Sequence, residues 1–136
     1  MDDLAGWLGE QLDIDERIAR SAADYDDGAA HDVEGPPGTW ACLDEAQWFG
    51  PSYRGGVIAP RIGQVNAPEL GAHIAAHDPA RVLRDIDRDR RTLVRCQEAM
   101  FAASPMLVHF AKQTLREMAL SFSDRPGYAE AVASAE

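Results

Sequence analysis

Apolar residues recur at helical spacing in two long segments of the chain. Over residues 3–22 they fall on one face at about 100° per residue, which predicts an amphipathic helix. This face consists of Leu4, Trp7, Leu8, Leu12, Ile14, Ile18, Ala19 and Ala22. A second stripe predicts a long helix over residues 79–103, with Asp78 as its cap and Pro79 in its first turn. Its members are Val82, Leu83, Ile86, Leu93, Val94, Met100 and Phe101.

Shorter helical patterns occur before and after the long helix. Asn66-Ala67-Pro68-Glu69 is a helix-start signature and predicts a short helix that ends near His77. Ser104-Pro105 repeats the order of cap and proline and predicts a helix to about Phe122. Its inward residues are expected to be Leu107, Val108, Ala111, Leu115 and Met118. A weaker helical segment follows a turn at residues 125–128.

The middle of the chain carries β signals instead. Between residues 39 and 66, short apolar runs are separated by Gly and Pro, as is typical of short antiparallel strands. The runs are Thr39–Leu43, Trp48–Phe49, Val57–Ile58, and Ile62 with Val65. Because so few short strands are not stable as an independent domain, we expect them to pack on the helices. The sequence therefore predicts an α+β fold with three or four helices packed with a small antiparallel β-sheet.

Length and charge narrow the functional classes. The 136 residues predict a single domain, 1–136, in which the acidic, Gly- and Pro-containing residues 23–38 form a flexible loop. The net charge is −10, with 23 acidic and 13 basic residues, so general nucleic-acid binding is not expected. No apolar run approaches the roughly 18 residues of a membrane span, so no membrane association is expected. The acidic start Met1-Asp2-Asp3 differs from a basic signal peptide and favours a cytoplasmic location.

Three segments of the chain match a known family pattern. The central segment is the run His-Ile-Ala-Ala-His-Asp-Pro-Ala-Arg-Val-Leu at residues 73–83. The others are residues 2–4 with 12–17, and residues 115–116 with 124–128. Together they resemble a domain-of-unknown-function family of small proteins from high-GC bacteria and their phages. The resemblance implies a family but no activity.

His73 and His77 are the candidate metal ligands. Four residues apart on a predicted helix, they should share a face, and this spacing allows two imidazoles to bind one ion, with Zn²⁺ the first candidate. Asp78 follows directly, and His31, His109 or Cys42 are further possible ligands. The alternative is structural: one histidine packs against the protein and the other decorates the helix end near Asp78.

Five arginines form a ridge on the long helix, opposite its apolar stripe. They are Arg81, Arg84, Arg88, Arg91 and Arg95. One interpretation is a docking strip for an anionic partner, either a protein or a phosphate-bearing molecule. The other, which the composition favours, is a solvated face whose charge is partly offset by Asp85 and Asp87.

Two charges interrupt the apolar faces of the two best-defined helices. Asp15 projects into the face of the first helix, and Arg90 into the stripe of the long helix. A charge on a core face is costly unless it is paired. We therefore predict that these helices pack together and that Asp15 and Arg90 form a structural ion pair. The alternative is that each charge reaches water.

Three functions remain open at this level. The leading hypothesis is a small, non-enzymatic interaction or accessory protein of the cytoplasm with an unknown protein partner, because the sequence contains no nucleophile or nucleotide-binding motif. The second is a metal-binding protein or metal-dependent enzyme that uses His73 and His77. The third is an acidic mimic of nucleic acid formed by the N-terminal half.

Overall fold

A computed structural model describes residues 2–24, 39–43, 48–53, 57–58, 63–64 and 68–135. Within these ranges, the helices are α1 (Asp2–Ala23), α2 (Pro68–Ala76), α3 (Pro79–Met100), α4 (Pro105–Leu120) and α5 (Tyr128–Ala133). The strand segments are β1 (Trp40–Leu43), β2 (Trp48–Tyr53), β3 (Val57–Ile58) and β4 (Gly63–Gln64). The predicted helices are thus present, although α3 and α4 end two or three residues earlier than expected.

The predicted α+β class is wrong, because the described part of the chain is predominantly helical. Its helices have 22, 9, 22, 16 and 6 residues, whereas the strand segments have 4, 6, 2 and 2 residues. Strands in a sheet layer usually have about five or six residues. Segments of two residues contribute few ladder bonds and little surface to cover a helix. The fold class is therefore that of a helical protein with local strand pairing.

The strand segments pair around β2. In an antiparallel register, Trp40 lies opposite Pro51, and Leu43 opposite Trp48. The other side of the same segment pairs with β3 and β4. Gly50-Pro51 is one of the Gly and Pro segments that were expected to separate the strands, but β2 continues through both residues. Pro51 lies at the end of the β1 register, where the missing N–H of proline costs little.

The residues group into two compact units. The first consists of Met1–Asp15 and Ile86–Glu136, and the second of Glu16–Asp85. These ranges divide both α1 and α3, so each unit takes part of both helices. The expectation of a single domain stays a prediction, and most of the predicted flexible loop, residues 25–38, lies outside the described residues.

Leucines of α1 and α4 form the centre of the first unit. Leu4, Leu8 and Leu12 recur every four residues, which places them on one helix face, and all three are fully buried. Leu115 of α4 is also fully buried. Helix α3 contributes Leu93, whose Cδ2 is the atom nearest to the position of a Cβ at Gly9, 3.9 Å away. This core is therefore formed by helices packing on helices.

Candidate functional site

The histidine pair lies at the C-terminal end of α2, in the second unit. His73 belongs to the last turn of the helix, and His77 follows it directly. Both side chains are exposed, and their ring centroids are 4.3 Å apart with an interplanar angle of 35°. A ring nitrogen of His77, Nδ1, lies 2.8 Å from the backbone oxygen of His73. The predicted sharing of one face is confirmed.

Asp78 does not join the histidines as a free ligand. Its Oδ1 accepts a hydrogen bond from the backbone N–H of Arg81 at 2.7 Å, which is the N-cap bond predicted for α3. Its Oδ2 accepts one from the backbone N–H of Trp40 at 3.1 Å, and the residue is only 7% exposed. Among the described residues, no group of three or more His, Cys, Asp or Glu is placed to hold a metal ion. Asp78 is therefore a capping residue that also fixes the start of β1.

Replacing Asp78 with alanine should destabilise the second unit by about 1 to 2 kcal/mol. The variant loses the cap of α3 and leaves the Trp40 N–H without its carboxylate acceptor. Urea denaturation followed by circular dichroism measures the loss. Asp78→Asn is the matched control, because its side-chain oxygen can still accept the cap bond, and it should retain most of the stability. Equal losses in both variants would contradict the capping role.

Three other residues were possible ligands of the histidine pair: His31, Cys42 and His109. His109 lies in α4 of the first unit, whereas His73 and His77 belong to the second. His31 and the side chain of Cys42 lie outside the described residues. The described part of the protein therefore supplies two imidazoles at this position.

All five arginines of the ridge are exposed along α3. Arg81 and Arg84 belong to the second unit, where Arg81 lies 3.8 Å from Asp85. In the first unit, Arg91 pairs with Asp87 at 2.5 Å. The predicted acids are thus neighbours of two arginines.

Arg88 and Arg95, the other ridge arginines of the first unit, differ in whether they have an acidic partner. Arg88 pairs with Asp89, an acid that the sequence analysis did not name, at 2.9 Å. Within the described residues, Arg95 has no ion-pair partner. Local carboxylates therefore offset charge at Arg88 and Arg91, whereas the charge of Arg95 is not offset by an ion pair within the described residues.

The predicted ion pair between Asp15 and Arg90 is wrong. Asp15 instead pairs with Arg125, in the turn between α4 and α5, and about a quarter of each side chain is exposed. Arg90 pairs with Asp13 at 2.7 Å, near the surface. The expectation that Asp15 needs a cationic partner was sound, but that partner comes from a turn whose position no helical periodicity reveals.

Arg125 contacts three residues, two on α1 and one in its own turn. Besides its pair with Asp15, its Nη1 lies 3.4 Å from Oε1 of Gln11, a buried residue. Its guanidinium carbon lies 4.9 Å from the ring centroid of Phe122, within the range of a cation–π contact. The turn after α4 is thereby held against α1.

Replacing Asp15 with alanine should cost about 1 to 2 kcal/mol, because it leaves the half-buried Arg125 without its carboxylate. Adding Arg125→Met should recover part of that loss, since the cation is then also removed. The matched control is Asp15→Ala with Arg90→Met, which leaves Arg125 unpaired and should show no recovery. Urea denaturation of the single and double variants gives the coupling energy, and recovery by the Arg90 change would contradict the pairing.

Large apolar side chains are exposed at the turn from α3 to α4, and helical periodicity predicted some of them to face inward. Phe101, just after α3, is 85% exposed, and in the first turns of α4 the exposed fractions of Met106 and Phe110 are 66% and 60%. Leu107, predicted to be buried, is also exposed, as is Val94 on α3. We call Val94, Phe101, Met106, Leu107 and Phe110 the apolar corner. Helical periodicity identified some of these residues as apolar face positions, but it does not show where a face lacks a neighbour.

The comparison with family models gives one match, over residues 1–132. The chain belongs to DUF6221, a family of unknown function. The expected membership of an uncharacterised family is thus confirmed. No curated protein and no solved structure matches the chain.

Cys96 of this DUF6221 chain is a buried, free thiol. Burial raises the pKa of the Cys96 thiol above its ordinary value, and a hydrogen bond with Thr114 opposes part of that rise. A thiol is a nucleophile only as the thiolate, so this environment makes Cys96 less reactive. Cys96 is therefore a packing residue between α3 and α4. Within the described residues, no helix is long and apolar enough to cross a membrane.

Proposed function

We propose that this protein is a non-enzymatic interaction protein of the cytoplasm, which binds a partner protein on the apolar corner. The observation that carries the proposal is the exposure of Phe101, Met106 and Phe110 within a short stretch of chain. Monomeric proteins seldom expose groups of large apolar side chains unless these bind something. Aromatic residues and methionine are also enriched at protein interfaces.

The charges beside the apolar corner define the chemistry of the partner. Val94 lies on α3, and Phe101 directly follows the end of this helix, seven residues further along the chain. Arg91 lies one turn before Val94, and Arg95 follows it, and both arginines are exposed. A complementary partner is an amphipathic helix with apolar anchors bordered by carboxylates. The carboxylates would meet the arginines at the rim, where charges contribute mainly to association rate and specificity.

Other features agree with an interaction protein. The free, buried Cys96 is typical of a reducing compartment, and its raised pKa does not suit nucleophilic catalysis. The ridge arginines Arg88 and Arg91 already have acidic neighbours, so the ridge alone is a weak site for a phosphate-bearing ligand. The mimicry of nucleic acid rests on the acidic residues of the N-terminal half, and those at positions 26, 27, 32, 34, 44 and 45 lie outside the described residues.

The test compares capture by the full-length chain and by matched variants. Wild-type protein, Phe101→Ser with Phe110→Ser, and Leu70→Ser are immobilised and exposed to a host-cell extract. Leu70 is an exposed apolar residue of α2, in the second unit, and serves as the control. We expect the same protein to be captured by wild type and by the Leu70 variant, and to be lost with the double variant. Circular dichroism confirms that each variant is folded.

A second arm examines the stated chemistry of the partner. A peptide covering the binding segment of the captured protein should bind the purified chain, with an affinity that falls in Arg91→Glu and Arg95→Glu and at raised salt concentration. Equal capture by all three proteins, or by none, would contradict the proposal. The proposal would also be contradicted if the double variant changed only the self-association of the purified chain in analytical ultracentrifugation. The apolar corner would then bind a second copy of this chain.

A further inference from the structure

We propose that His73 and His77 bind one divalent ion of the late first-row transition metals through their Nε2 atoms, with Cu²⁺ bound most tightly. This site lies in the second unit and is independent of the apolar corner in the first. Both imidazoles are exposed, so an ion reaches them without any movement of the backbone.

The hydrogen bond of the His77 ring determines which of its two nitrogens carries the proton. The backbone oxygen of His73 can only accept, so the Nδ1 atom of His77, 2.8 Å away, must carry the proton that is donated. In the neutral ring the lone pair is then on Nε2. Histidines that bind metal ions usually donate their other N–H to a carboxylate or a backbone carbonyl, which orients the ring. His77 therefore has the hydrogen bond of a metal ligand before any ion is bound, and it can keep that bond when Nε2 coordinates.

The separation of the rings suits binding of one ion by both. Metal–nitrogen distances of about 2.0 to 2.1 Å at adjacent coordination positions place two imidazole centroids roughly 4.5 to 5 Å apart. The observed separation is 4.3 Å, with the planes inclined by 35°. The two exposed rings are therefore close to the separation that one shared ion requires.

The donor set determines which ions bind. Imidazole suits zinc, copper and nickel, whereas Mg²⁺ and Ca²⁺ prefer oxygen ligands. Asp78, the nearest carboxylate in sequence, is occupied by the backbone N–H groups of Arg81 and Trp40. Water would therefore fill the remaining positions of the ion. With few protein ligands imposing a geometry, affinity should follow the general order in which Cu²⁺ exceeds both Ni²⁺ and Zn²⁺.

Isothermal titration of the full-length protein with CuCl₂, NiCl₂, ZnCl₂ and MgCl₂ tests the proposal. We expect one Cu²⁺ ion per chain at the site, weaker binding of Ni²⁺ and Zn²⁺, and none of Mg²⁺. His73→Ala and His77→Ala should each weaken Cu²⁺ binding by about tenfold or more, because each removes one of two protein ligands. The matched control His109→Ala removes an exposed histidine of α4 and should leave the binding unchanged.

A second control keeps the number of histidines and changes only their spacing. Ala72→His with His73→Ala places the first histidine five residues before His77, so the two no longer share a face, and Ala72 is exposed. This variant should bind Cu²⁺ as weakly as His73→Ala, with an unchanged circular dichroism spectrum. Wild-type affinity in the spacing variant, equal weakening by His109→Ala, or the absence of Cu²⁺ binding to wild type would overturn the proposal.

Discussion

Leu115→Ala should lower the free energy of unfolding by about 3 kcal/mol. The side chain of Leu115 is fully buried in the first unit, as are the side chains of Leu4, Leu8 and Leu12. The substitution loses the transfer energy of the removed atoms and leaves a cavity that a close-packed core fills only in part. Urea denaturation should show a lower midpoint with an unchanged dependence on urea concentration.

Leu120→Ala is the matched control for this experiment. Leu120 has the same side chain and ends the same helix, but it is 60% exposed. Its replacement should change the stability by no more than about 0.5 kcal/mol. Similar losses in the two variants would show that Leu115 does not lie in the core.

Gly127→Ala should destabilise the protein by about 2 to 3 kcal/mol. Gly127 has φ = 84°, a left-handed conformation that costs a residue with a Cβ about 1 kcal/mol or more. The added Cβ would also lie 3.0 Å from Nε1 of Trp7 and 3.5 Å from its Cδ1. The indole would have to move, although it donates a hydrogen bond to the Pro126 backbone oxygen at 3.2 Å and packs against Phe122 and Tyr128. Calorimetry measures the expected fall in Tm.

Gly6→Ala provides a control with the opposite expected sign. Gly6 lies on the exposed face of α1, and no atom lies within 4 Å of the position of an added Cβ. An alanine at an exposed helical position should therefore stabilise the protein by about 0.5 to 1 kcal/mol. If both glycine substitutions changed Tm in the same direction, neither the left-handed turn nor the contact with Trp7 would explain the effect at Gly127.

The positions of the helices were predictable because their signals are local. Apolar spacing identified α1 and α3, and the capping role of Asp78 follows from its place before Pro79. The prediction of an α+β fold was wrong because short runs of β-favouring residues indicate an extended backbone, but they do not indicate the number or length of the strands. A sheet layer depends on long-range pairing, which a single run does not encode.

The histidine pair was predictable for the same reason as the helices. Two residues four positions apart on one helix are neighbours wherever that helix packs. The hydrogen bond between the His77 ring and the His73 carbonyl is also local, but the sequence does not show which ring nitrogen forms it. One of the two hydrogen bonds to the Asp78 carboxylate comes from Trp40, 38 residues away. Only the structure therefore showed that this carboxylate is not a free ligand for the histidine pair.

By itself, the sequence determined the helices, their buried leucines and the spacing of the histidines, because each of these follows from residues a few positions apart. Only the tertiary structure decided which apolar and charged residues have partners. Asp15 finds Arg125, 110 residues away, rather than Arg90, and Phe101 and Leu107 lie on faces that no other element covers in the described part of the chain. Periodicity gives the direction in which a side chain projects from its helix, whereas the neighbour it meets there depends on how distant segments pack.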